Sequence, residues 1–246
     1  MKRQDQRLGH ITSSRHERRS PSTWEVAKHL AMAYPDSDLG NRANPLDELA
    51  FIILSGQTEA SLAKTTYLGF KRQFPRWDDV ANARLRSLEA SIHGGGLGHQ
   101  KARYLREIAR LTKADFGRAT LAPLRRMSTT QAELYLCGLP GVGVKSARCV
   151  LLYSLQRDVF PADVHCLRVM TRLGWIGWHG ERGEELADPS QQKIPPSLRR
   201  LLHVKLVQHG RAVCRSRPNC PSCVLNRCCP SADNARYSDL NAERQK

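Results

Sequence analysis

The chain reads as an all-α protein, and three features of its sequence carry that prediction. Apolar residues recur at helical spacing from about residue 20 to residue 211, with almost nothing that alternates as a strand would. Helix start signals stand at the head of the clearest of these stretches. No segment repeats at the period of a solenoid or propeller. At 246 residues with 40% hydrophobic content, the chain can bury one large core or two modest ones.

Taken in order, "MKRQDQRLGHITSSRHERRS" (1–20) carries six basic and two acidic residues and reads as a flexible basic tail. "SPSTWEVAKHLAMAYP" opens with Ser and Pro start signals and stops at Pro35, so it reads as one helix. "NPLDELAFIILSGQ" is a nearly continuous apolar run, a second helix buried on most sides. Further helices are expected in 59–74, 83–92, 100–115 and 128–137; the last begins at Ser128 with Gln131 three residues on, a capping box. After a glycine turn, Ala147, Val150, Leu151 and Ser154 share one helical face toward the core. Helical segments at 163–173 and 197–211 and a cysteine-rich loop complete the chain. "GERGEELADPSQQKIPPS" is expected to be its one long irregular connection.

Charge narrows the partner. Lys and Arg number 39 against 23 Asp and Glu, a formal net charge of +16. Such an excess favours a polyanion, since binding releases counterions condensed on DNA or RNA. No apolar run approaches the roughly 20 residues of a membrane span. The N-terminal stretch lacks the apolar core of a signal peptide, so the expected location is cytoplasmic, with no membrane partner.

In "GLPGVGVKSA" (138–147), Gly141 and Gly143 bracket one valine, and Lys145 follows at the start of an apolar helix. Glycines bare their N–H groups, and a helix start adds unpaired donors and the positive end of its dipole, so the turn suits a phosphate. In "FPADVHCLRVMTRLG", Asp163 precedes another periodic helix. It reads as that helix's N-cap, worth about 1 kcal/mol, or as a carboxylate sharing a pocket with Lys145 if the short "RDVFP" link turns the chain back.

Of eight cysteines, Cys137, Cys149 and Cys166 lie in apolar helical stretches and read as buried, inert thiols. The other five crowd into "CRSRPNCPSCVLNRCCP" (214–230). One C-x-x-C, Cys220 and Cys223, with single flanking cysteines suits a compact iron–sulfur cluster; a structural zinc is the other reading.

Together these stretches carry a resemblance. "LPGVGVKSA" followed by "ADVHCLRV" resembles the helix-hairpin-helix and catalytic Asp segment of the endonuclease III family of base-excision DNA glycosylases. "HVKLVQHGRAVC" is similar to that family's approach to its iron–sulfur cluster, and "LSGQTEA" to its second-helix segment. The likeness runs from about residue 45 to 230. The gap from Cys214 to Cys220 is one residue shorter than the family's, and Val164 stands where the family generally has threonine. Cys229 keeps the family's last spacing and its following proline, so the resemblance implies a [4Fe–4S] cluster on Cys214, Cys220, Cys223 and Cys229, with Cys228 as the alternative fourth ligand.

The resemblance also implies a chemistry. A damaged, oxidised pyrimidine is flipped from duplex DNA into a pocket. The Lys145 amine attacks C1′ and displaces the base, and β-elimination through the Schiff base nicks the abasic site. Asp163 orients the lysine, relays a proton and stabilises the cationic sugar. By resemblance Gln57 and Leu97 fill the hole left in the duplex, Leu97 following the glycines Gly94 to Gly96; the ordinary readings are a helix-end polar residue and a core leucine. The adenine-specific branch of the fold carries serine at the lysine position and an acid where this chain has Ile52, so both positions oppose it. Two alternatives stay open: the same fold acting on mismatched or modified pyrimidines, and a DNA-binding module with little catalysis. The expected architecture is a monomer of two helical domains, residues 38–157 ending in the hairpin and residues 21–37 plus 158–246 carrying the cluster. The DNA groove would lie between them.

Overall fold

The computed structural model describes residues 19–35, 38–92, 97–179 and 182–232; the expected basic tail and the triplet Gly94 to Gly96 lie outside these, save for the tail's last two residues. Among the described residues there are eleven α-helices and no strand. In chain order they are α1 (Thr23–Ala33), α2 (Pro45–Ser55), α3 (Ala60–Gln73), α4 (Trp77–Asn82), α5 (Leu85–Ser91), α6 (Gly98–Phe116), α7 (Thr129–Cys137), α8 (Val144–Tyr153), α9 (Val164–Arg172), α10 (Ala187–Lys193) and α11 (Arg199–Ala212). None is long and apolar enough to cross a membrane.

The caps read from the sequence do their work. The Ser22 hydroxyl accepts from Glu25 N at the head of α1. The Asn44 side chain accepts from Leu46 N and Asp47 N ahead of Pro45, whose missing N–H costs nothing at a helix start. Ser128 and Gln131 satisfy each other's backbone N–H groups in a capping box.

Two elements depart from the sequence reading. Helix α4 has only six residues, too few for a periodic pattern to register; it holds its place by burying Trp77, Val80 and Ala81. The stretch 180–197, expected to be irregular, contains α10. Pro189 looked like a breaker but sits in the first turn of the helix, where its N–H has no carbonyl to meet.

The apolar residues divide into two buried cores. One is built on α2 to α8 and includes Leu54, Phe70, Leu105, Leu136 and Val150, closing at Val159. The other joins α1 to α9 and α11, with Val26, Leu30, Phe160, Met170 and Leu206. Helix α11 straddles them: Val204 faces the first, Leu202 and Leu206 the second. The Trp175 indole N–H donates to Pro21 O at 2.8 Å, tying the start of α1 to the end of α9.

Arg148, buried on α8, joins three elements. Its guanidinium forks onto both carboxylate oxygens of Glu133 on α7 at 3.1 and 3.2 Å. It also donates to Ala187 O at 2.8 Å and to the Asp188 carboxylate, both in α10. Arg148→Met should cost about 2 kcal/mol in urea unfolding, because Glu133 and Asp188 retain water access and resolvate when the partner goes. Amide hydrogen exchange should quicken first in α10.

Candidate active site

Helix α7 runs through Gly138 into the turn Leu139 to Gly143 and out into α8. Gly141 holds φ +73°, a backbone that other residues rarely adopt, and a Cβ there would lie 2.4 Å from the ring of Tyr104. At Gly143 a Cβ would meet the Glu184 carboxylate at 2.5 Å. Gly143 is also the N-cap of α8, and among the described residues no side chain closes a cap bond there. The turn thus presents bare backbone at the positive end of a helix.

Lys145 is the second residue of α8. Asp163 is the N-cap of α9: its Oδ1 accepts from His165 N at 3.0 Å and Cys166 N at 2.9 Å. Both sequence readings of Asp163 therefore hold at once, for the capping carboxylate also lines a cavity of 860 Å³ with Lys145. This cavity lies along the seam of the two cores, walled by α2 and α8 on one side and α9 and α11 on the other.

The electrostatics follow from partial burial of opposite charges. Burial works to raise the Asp163 carboxyl, but His203, Lys145 and the Cys166 N–H outweigh it and hold the group below its ordinary value. Lys145 is held above the ordinary lysine value by the Cys149 sulfur beside it and by Asp163, against the opposing pull of burial. Burial pushes the Cys149 thiol up to about 11. Cys149 is the buried core thiol that its apolar setting predicts, and it also lines the pocket next to the lysine.

Two pocket residues escaped the sequence reading. Glu48, fully buried on α2, accepts from Asn41 Nδ2 at 2.6 Å and Arg42 N at 2.7 Å, and burial raises its carboxyl. It is an acid inside an apolar run, a pattern that marks a buried charge without saying what it faces. Arg42 itself lies 3.7 Å from the Phe51 ring centroid and 4.1 Å from that of Tyr67. His203, on α11, is 2% exposed. Its Nδ1 bonds the Tyr153 hydroxyl, its Nε2 has no hydrogen-bond partner among the described residues, and burial lowers its pKa to about 4.

Gln57 follows α2 on an exposed turn with φ +52°. Leu97, the N-cap of α6, has φ +64° and is 54% exposed, so it is no core leucine. In the cysteine loop, Cys214, Cys220, Cys223 and Cys229 all line one cavity of 280 Å³, and Cys228 is not among its walls. Arg172 Nη1 lies 3.1 Å from Cys214 Sγ and His209 Nε2 3.5 Å from Cys223 Sγ. Among the described residues no three His, Cys, Asp or Glu side chains converge on a single-ion position.

Residues 50–196 match the HhH-GPD superfamily of base excision DNA repair proteins. The chain belongs to that superfamily. This HhH-GPD protein is 34% identical over 194 residues to a putative DNA glycosylase of Arabidopsis thaliana, covering 79% of the chain and 64% of the relative. It is 29% identical over 153 residues to endonuclease III of Sulfolobus acidocaldarius, covering 62% of the chain and 66% of that protein. The alignments thus span just under two thirds of the length of each relative. A trapped endonuclease III–DNA covalent intermediate superposes with a TM-score of 0.73 at 25% identity, over 86% of the chain and 95% of that structure.

His203 gives the HhH-GPD fold a pH dependence. Its folded pKa of about 4 lies below the ordinary 6.5, so the unfolded chain binds the proton more readily between those values. Stability is fully present above pH 6.5 and falls as pH drops toward 4, by about 3 kcal/mol in all from this one group. Thermal unfolding from pH 7 to 4.5 should show the fall, and His203→Gln should lessen it, leaving the share of His209, which burial also lowers to about 4.

Proposed function

We propose that the protein is a bifunctional DNA N-glycosylase and AP lyase that removes oxidised pyrimidines from duplex DNA. The observation that carries this reading is the meeting of Lys145 and Asp163 in one cavity, directly behind a bare glycine turn suited to phosphate. In this reading the backbone of Gly141 and Gly143 grips the strand, and Gln57 and Leu97 enter the stack vacated by the flipped base. The Lys145 nitrogen forms a bond to C1′ as the glycosidic C1′–N bond breaks. The departing base takes the electron pair together with the proton that the amine loses. The nitrogen lone pair then opens the sugar ring: the C1′–O4′ bond breaks, O4′ takes a proton from water, and C1′ becomes an iminium. Removal of a C2′ proton from the resulting iminium then expels the 3′ phosphate and nicks the strand.

A protonated lysine cannot attack, so its proton must leave first. In the free protein Cys149 and Asp163 hold Lys145 toward the ammonium against the pull of burial, and in this reading DNA seated over the pocket deepens that burial and favours the free amine. Asp163, held ionised, orients the ammonium and stabilises positive charge at C1′. Residues 38–157 on one side and 21–37 with 158–246 on the other act as the two domains that hold the DNA.

Lys145→Gln should abolish borohydride-trapped complexes while leaving affinity for abasic DNA within a few-fold, since the backbone donors remain. Undiminished trapping would sink the assignment. A panel of duplexes holding oxidised pyrimidines, uracil, mismatches or an abasic site fixes the substrate.

We further assign a [4Fe–4S] cluster to Cys214, Cys220, Cys223 and Cys229. Four thiols around one cavity, rather than gathered on a point, suit a polynuclear centre better than one zinc. When bound, the cluster supplies a rigid core for a loop bearing Arg215, Arg217 and Arg227 and no acid, a surface fit for phosphates. The purified protein should be brown. Cys229→Ser should be pale and poorly soluble, and Cys228→Ser should keep its colour. A colourless wild type holding one zinc would defeat the assignment.

A further inference from the structure

Lys101 is buried at 5% exposure in α6, and its ammonium has three acceptors. Nζ donates to Leu54 O at 3.0 Å, Gly56 O at 2.7 Å and the Thr58 hydroxyl at 2.8 Å. An ammonium carries three protons, so this set uses all of them. Among the described residues no carboxylate pairs with it, and burial lowers its pKa. A charge withdrawn from water and matched only by neutral oxygens is an expensive way to staple a loop, and apolar packing would serve stability better.

The three acceptors surround one residue, Gln57, in the segment from Leu54 to Thr58. Its backbone N–H makes the ordinary first-turn helix bond to Leu97 O at 2.9 Å, so the lysine stands one turn beyond Leu97 on α6. Gln57 and Leu97 are both non-glycines in the left-handed region, Gln57 at φ +52° and Leu97 at φ +64°. Both are exposed. A left-handed backbone at a side chain of this kind persists only where its surroundings over-determine it. The lysine side chain thus ties the turn that carries Gln57 to the helix that Leu97 begins.

We propose that Lys101 is a positioning residue that couples Gln57 to Leu97, so that the two side chains offered to the duplex act as one unit. The inference rests on the reading that both enter DNA. Displacement of either turn moves the common anchor, and neither side chain keeps its aim without the other.

The test uses the full chain with Lys101→Met, and with Thr58→Val as a milder variant that removes one acceptor and keeps the lysine. Single-turnover excision is measured on a paired lesion in duplex, the same lesion in single-stranded DNA, and a pre-formed abasic site. Lys101→Met should slow the paired lesion about tenfold and leave the other two substrates within about threefold, with Thr58→Val shifted the same way by less. In a double-mutant cycle, Gln57→Ala and Leu97→Ala should be non-additive in the wild-type background and additive with Lys101→Met. A second measurement needs no catalysis: 2-aminopurine opposite a stable abasic analogue reports the estranged base by its fluorescence on binding. Lys101→Met should lose that signal at saturating protein. Equal slowing on all three substrates, or additivity in the wild-type background, would overturn the coupling. Fluorescence coupling without any excision would count against the chemistry of Lys145 and in favour of Lys101.

Discussion

Two opposite charges held half-buried at the seam between two apolar cores set the terms for the rest of the molecule. An ammonium or carboxylate withdrawn from water needs compensation close at hand. Asp163 receives it from the first N–H groups of α9, and Lys145 from Asp163 and the Cys149 sulfur. Each side chain stands at the beginning of its own helix, and the two helices belong to different cores. The site therefore exists only when α8 and α9 dock, and the docking is what α11 secures by lending residues to both cores. His203, between Leu202 and Val204 on that helix, is buried neutral against Tyr153 as a consequence.

The same economy of parts appears at the rim. The hairpin turn approaches Tyr104 so closely, at a left-handed backbone, that only glycine fits at position 141, and at 143 it lies against the end of the Glu184 side chain. Closeness bares the backbone that a phosphate would need. Gln57, on the cavity wall, and Leu97, at the head of α6, sit in backbone conformations that cost energy, and the buried Lys101 ties the turn of the first to the helix of the second. Lys145, Asp163 and the strained Gln57 share one cavity, while the cores beneath are ordinary close-packed helices. That separation fits a site grafted on a scaffold rather than one diffused through it.

Much of this was legible in the sequence. Helical periodicity and capping residues placed most helices within a residue or two, because caps and apolar faces are local properties of the chain. Helix α4 was too short for its period to show, and α10 was hidden by a proline that is harmless in a first turn. The glycine turn, Lys145 and Asp163 stood out because tight turns and helix starts have their own residue chemistry. Glu48 and His203 did not, since an acid in an apolar run and a histidine in a mixed one have no local signature of the cavity they face.

By itself the sequence determined the helices, the basic excess, the cysteine cluster and the residues capable of chemistry, all of which depend on neighbours a few positions apart. Only the tertiary structure decided that Asp163 caps a helix and shares a pocket with Lys145, and that Cys149 joins them there. It alone set four of five loop cysteines around one cavity and tied Lys101 to the turn that carries Gln57. Those relations depend on distances between residues far apart in the chain, which the packing of two cores on one shared helix sets and no local pattern encodes.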